Sequence, residues 1–307
     1  MSLRLGLLRG ILGLGLLAAL AAPAGAPAAQ AAGACGQAVC VYLPAISRAL
    51  DGTTGASYIS GLARQWDTDA VVRPAHLHAD KNLELRGYTD VTGQAGYTPG
   101  YLSYGQDDNR GPQLGYLFNP SVPSAPAADQ LRFYQVNGWN WATSPSPGTP
   151  AGPLTGNWPI TALGLPATEG QLVYLPPTGV SNPIAPGYHA LVMYADSNGL
   201  AVKYNGYTLH IRGLVLDPNL LARYNGDNDP NGPRYVFNGG QFGNYYYNLP
   251  YLAAGQPVGR AASARLLVAV VDTGSFMDPR SCHEWWIGLT GGAGQPACPT
   301  RNGTTIR

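Results

Sequence analysis

The stretch Leu200–Arg212, LAVKYNGYTLHIR, decides the fold class. Two runs of β-branched and aromatic residues, Leu200 to Tyr204 and Tyr207 to Arg212, flank Asn205-Gly206. Asn-Gly tolerates the positive φ angles of a tight hairpin turn, so the flanking runs read as paired strands. Outward from the hairpin, Leu172 to Leu175 and Ala190 to Ala195 precede it, and Leu266 to Val271 follows, each short and apolar. Turn residues such as Asp196-Ser197-Asn198-Gly199 separate them. Farther upstream, Leu131 to Trp141 (LRFYQVNGWNW) alternates large residues and predicts another strand. Ile59 to Trp66 begins a short helix or strand, and Leu83 to Tyr88 alternates weakly. Asp217 to Tyr224 (DPNLLARY) predicts a helix, with Asp217 as N-cap, Pro218 in the first helical position, and Leu220, Leu221 and Tyr224 on one face. The pattern predicts an all-β fold, a twisted barrel or sandwich with one short helix over 168–286. A Gly/Pro-rich β segment over 32–167 elaborates it, and residues 287–307 form a tail.

Composition narrows the class of partner. The 18 Lys and Arg nearly balance the 17 Asp and Glu, so no basic field draws nucleic acid or anionic lipid. Only 11% of residues are charged while Gly numbers 41 and Pro 27, the balance of a turn-rich extracellular β protein. Residues 1–31 have the order of a secretory signal: Arg4 and Arg9, then an uncharged run from Ile11 to Ala22, then Ala29-Gln30-Ala31 as the cleavage site. No later apolar run reaches the ~18 residues of a membrane span, so the mature chain is expected to carry no transmembrane segment. Secretion or the cell envelope is the expected location. Export permits disulfides, and Cys35/Cys40 and Cys282/Cys298 are natural local pairs, although four cysteines allow three connectivities.

Five segments of the second half fall in an order that resembles the M23 (lysostaphin-like) peptidase barrel. They are Gly170 to Pro176 with Gly179-Val180, Gly187 to Tyr194, Tyr207 to Ile211, Leu252 to Gly259, and Arg265 to Pro279. The resemblance implies a zinc peptidase that cuts peptidoglycan, with metal held by an H-x-x-x-D motif and a closing H-x-H. His76 and Asp80 have the first spacing, and His210 takes the position of an auxiliary histidine. The closing positions are Arg265 and Leu267, and Leu267 cannot bind a metal. What the resemblance implies about fold is therefore kept, and what it implies about activity is weakened.

Other residues read independently of that family. His76 and His78, two apart on an extended chain, share a face and suit a metal together with Asp80. Asp227, Asp229 and Asn231, followed by Gly232, reproduce the start of a calcium loop, though Asn238 stands where a bidentate Glu is expected. Trp139, Trp141, Tyr245, Tyr246 and Tyr247 could stack on sugar rings, as could Trp285-Trp286. The expected function is a non-catalytic envelope or extracellular protein, a degenerate peptidase-like barrel that needs no cofactor. Its partner would be peptidoglycan, another surface polysaccharide or a protein. One alternative is a zinc hydrolase with a rearranged site of His76 or His78, Asp80 and His210. The other is a calcium-stabilised surface adhesin.

Overall fold

The computed structural model describes residues 50–65, 75–94, 97, 100–102, 110–143, 146–153, 158–181, 183–227 and 245–286, with backbone alone at 62–65, 153, 227 and 245–247. The leader, Cys35, Cys40, Cys298, Asp229, Asn231 and the tail lie outside these residues.

The chain is mostly β. Its first half supplies β1 (Ile59–Gln65), β2 (Tyr88–Asp90), β3 (Arg132–Asn140), β4 (Thr149–Pro153) and β5 (Ala162–Pro166). Then come β6 (Leu172–Tyr174), β7 (Ala190–Asp196), β8 (Gly199–Lys203), β9 (Tyr207–Arg212) and β10 (Leu214–Leu216). The last group is β11 (Tyr245–Leu252), β12 (Pro257–Ala261), β13 (Arg265–Asp272) and β14 (Ser275–Phe276). Helices are α1 (Leu83–Arg86), α2 (Pro218–Asp227) and α3 (Cys282–Trp285). Among the described residues no helix is long and apolar enough to cross a membrane.

Eleven strands form one antiparallel sheet in the order β1-β11-β7-β8-β9-β13-β5-β3-β2, with β14 added to β13 and β4 to β3. A smaller sheet has the order β10-β12-β6. Strands from both halves of the chain thus share the large sheet. It does not close into a barrel, one of the two forms expected from the sequence, because β1 and β2 end the order and no pairing joins them among the described residues. Closure needs matched free edges on the first and last strands, and β2 offers only Tyr88–Asp90.

The hairpin forms as its turn residues dictate. Lys203 pairs with Thr208, Tyr204 N–H donates to Tyr207 O at 2.7 Å, and Gly206 has φ +104°. α2 is capped as its sequence requires: the N–H groups of Asn219 and Leu220 donate to Asp217 Oδ1 at 2.8 and 3.4 Å. The other Asp217 oxygen accepts from Thr54 N–H and Oγ1–H, so the same carboxylate ties the start of the described chain to the helix. Two further single-turn helices, α1 and α3, were not expected. In α1, Asn82 Oδ1 accepts from Glu84 N–H, and Gly87 at φ +65° ends the turn.

The central strand β13 separates two cores. Leu266, Val268 and Val270 join the main cluster with Leu163, Leu209, Ile211, Leu214 and Val258, which places the small sheet on that face. Leu267, Ala269 and Val271 join Leu83, Val136, Ala162 and Phe276 on the other. The two-residue period of a strand turns successive side chains to opposite faces, so a strand covered on both sides reads as a continuous apolar run. RLLVAVVD is such a run.

Candidate functional site

The second face of the sheet carries His210 together with Asp80, Glu84, Arg86, Asp196 and Arg212. The segment 75–86 lies over it, with its first turn against β7 and α1 against β3 and β4. His210 on β9, opposite Ala269 of β13, sits beneath this strap and is 1% exposed. The tight turn between β13 and β14 brings Phe276 back over the same face, stacked on the His210 ring at 6.2 Å and 28°. His210 Nε2 is buried without a hydrogen-bond partner among the described residues. Burial lowers its pKa from 6.5 to about 4; the Asp80 carboxylate opposes that shift, and Arg86 and Arg212 reinforce it.

The strap is fixed by two arginines. Arg86, 7% exposed, forms an ion pair with Asp80, donates from Nε to Ala79 O and from Nη1 to Asn137 O, and lies 5.3 Å above the Phe276 ring. Arg212, 4% exposed, donates from Nε to Glu84 Oε1 at 2.9 Å and from Nη1 to Asp196 Oδ2 at 2.8 Å. Glu84 belongs to α1 and Asp196 to β7, so this guanidinium joins the strap to the sheet. Tyr194 O–H donates to the same Asp196 oxygen at 2.9 Å.

Sequence-predicted residues are thus partly brought together. Asp80 and His210, distant in the chain, interact electrostatically. His76 is exposed in the first turn of the strap. His78 turns toward β3: its Nδ1 accepts from Asp80 N–H at 3.2 Å, and its ring meets Trp141 edge-on at 5.1 Å. Trp139 packs against Trp141 at 6.3 Å and donates from Nε1 to Pro147 O at 2.7 Å. Trp141 itself is 45% exposed. Trp285 and Trp286, by contrast, are 1% and 2% exposed and donate to Asp278 O and Pro279 O, so they are core residues rather than a sugar platform. Tyr245 to Tyr247 form part of β11. Asp227 ends α2 in helical backbone, and the rest of the candidate calcium loop lies outside the described residues. Cys282 is disulfide-bonded.

No three His, Cys, Asp or Glu residues are placed to hold a metal among the described residues. The chemistry of the donors gives the reason: the Asp80 carboxylate is taken by a guanidinium, and Arg86 and Arg212 put positive charge beside His210 where a dication would be repelled. Sequence reading missed Arg86, Glu84 and Arg212, because the first two lie in a single-turn helix and the third ends a strand, and no motif announces any of them.

No family model, no curated protein and no solved structure matches this chain.

Proposed function

We propose that this is an exported, non-catalytic envelope or extracellular protein that binds a surface polysaccharide, peptidoglycan included. The observation behind this reading is the occupation of Asp80 by Arg86 above a sealed His210. A general base must reach the proton it removes, directly or through a water. His210 is 1% exposed, and Oδ1 of the neighbouring Asp80 carboxylate is paired with Arg86. What remains on that face is a rigid, ion-paired surface suited to recognition. Trp141, half exposed and braced by Trp139 and His78, supplies a large amphipathic ring at its edge. Export is supported by the leader-like first 31 residues and by the disulfide at Cys282, a bond that persists in oxidising compartments.

Cosedimentation of the purified protein with insoluble peptidoglycan and with a second envelope polysaccharide tests this reading. The protein is expected to pellet with at least one polymer, and Trp141→Ala to weaken binding by about fivefold, the worth of one aromatic contact. Failure to pellet with either polymer would overturn the binding claim. Release of soluble fragments would overturn the non-catalytic one.

A further inference from the structure

We propose that a cleft formed by β2, β3, β9 and β13 is a subsite for a carboxylate-bearing sugar. The proposal rests on the polysaccharide reading for the class of ligand, and it uses none of the residues around Trp141. The cleft has a volume of about 200 Å³ and is lined by Tyr88, Tyr134, Asn198, Arg212, Arg265 and Leu267. That volume is below what a drug-sized ligand needs and suits a single ring.

Arg265 provides the carboxylate contact. Its Nη1 donates to Gln130 O at 3.1 Å and Gly164 O at 3.3 Å, which fixes the plane of the guanidinium. Its Nε and Nη2 make no hydrogen bond to the described residues. Those two nitrogens form one edge of the guanidinium fork, and that edge matches the two oxygens of a carboxylate. Arg212, anchored by Glu84 and Asp196, lines the same cleft and is held too firmly to move away.

The remaining lining suits a sugar ring. Tyr88 and Tyr134 meet edge to face at 5.6 Å and 76°, presenting ring surface and hydroxyl together. Burial raises both phenol pKa values, so the hydroxyls stay neutral and can donate or accept. The Asn198 carboxamide makes no hydrogen bond to the described residues and is available to a sugar hydroxyl. Gly164 makes the arrangement possible: a Cβ there would lie 2.9 Å from Tyr134 Cε2 and 3.0 Å from Arg265 Cδ.

Net charge does not draw the ligand in. Around the cleft Arg132, Arg212 and Arg265 are matched by Glu84, Asp90 and Asp196. Specificity then comes from the fork and the rings, and affinity for one sugar is expected on the order of 1 mM.

Calorimetric or NMR titration with methyl glucuronide, methyl glucoside and acetate tests the proposal on the intact protein. The glucuronide is expected to saturate, with acetate and the glucoside each at least about tenfold weaker. Arg265→Lys keeps the charge but loses the fork, and is expected to weaken the glucuronide about tenfold at unchanged melting temperature. Tyr134→Ala should weaken it as well, and Val122→Ala, exposed and outside the cleft, should leave it unchanged. Absence of saturation, acetate binding equal to the glucuronide, or wild-type affinity in a folded Arg265→Lys would each overturn the subsite. Retained polymer binding without glucuronide binding would overturn the subsite alone. Glucuronide binding without any polymer binding would overturn the Trp141 reading alone.

Discussion

Replacing Asp278 with alanine is expected to destabilise the fold by about 3–5 kcal/mol, a large part of the stability of an ordinary domain. Asp278 and Arg280 are 2% and 1% exposed. Arg280 Nε donates to both carboxylate oxygens at 2.9 and 3.2 Å, and Nη2 donates to Oδ2 at 2.6 Å. The guanidinium also lies 5.5 Å above the Phe133 ring. Removing the carboxylate takes away the anion that the buried guanidinium grips with Nε and Nη2, and a guanidinium cannot lose its proton to escape. The same loop holds Trp285 and Trp286 through Asp278 O and Pro279 O, so disorder there would loosen the main core. Urea denaturation should show a lower midpoint at an unchanged slope. Asp278→Leu combined with Arg280→Met removes both charges and is expected to cost less than Asp278→Ala alone. A loss below about 1 kcal/mol in the single variant would contradict this account of the pair.

Acid is expected to weaken the protein through His210. The unfolded histidine takes up its proton near pH 6.5, and the native one only near 4. Between those values the unfolded state binds more protons, so stability rises with pH. The contribution is complete above pH 6.5 and is lost as pH falls toward 4. With each unit of displacement worth about 1.36 kcal/mol, the loss reaches about 3 kcal/mol. The groups responsible are the apolar surroundings first, then Arg86 and Arg212, with Asp80 working in the opposite direction. Unfolding free energies measured from pH 7 to 4 should slope for the wild type and flatten for His210→Gln. Parallel slopes in the two proteins would place the acid sensitivity elsewhere.

The parts of the fold that were legible in the sequence are those with local chemical signals. Asn205-Gly206 needs only its own backbone preferences to make the hairpin, and Asp217-Pro218 needs only a cap and a fixed φ to start α2. Strands β4, β5, β10, β11 and β12 escaped notice. ALGLP in β5 is buried at four consecutive positions and so lacks the alternation that marks a half-exposed strand. The sequence LELR alternates apolar and charged residues, yet the chain winds there into α1, because Asn82 caps it and Gly87 ends it. That cap pair was the available signal. Whether the sheet closes is a property of its two end strands, and no local run contains it.

The site was legible only in fragments. His210, Asp80, His78 and Trp141 stood out by residue type, and the structure brings them to one face or its edge. Their neighbours decide what they can do, and those neighbours are long-range. Arg86 and Arg212 reach Asp80, Glu84 and Asp196 only because the strap crosses the sheet. Arg265 was noticed as a departure from a metal motif. Its place in a cleft with Tyr88 and Tyr134 depends on the pairing of β13 with β5 and of β5 with β3.

Elemental analysis of the purified protein, after incubation with zinc and removal of the excess, tests the central claim most directly. An Arg86 guanidinium on Asp80 predicts no stoichiometric zinc in the wild type, and no change in Asp80→Ala. One zinc per chain, lost in Asp80→Ala, would contradict the account and restore a metal-dependent hydrolase.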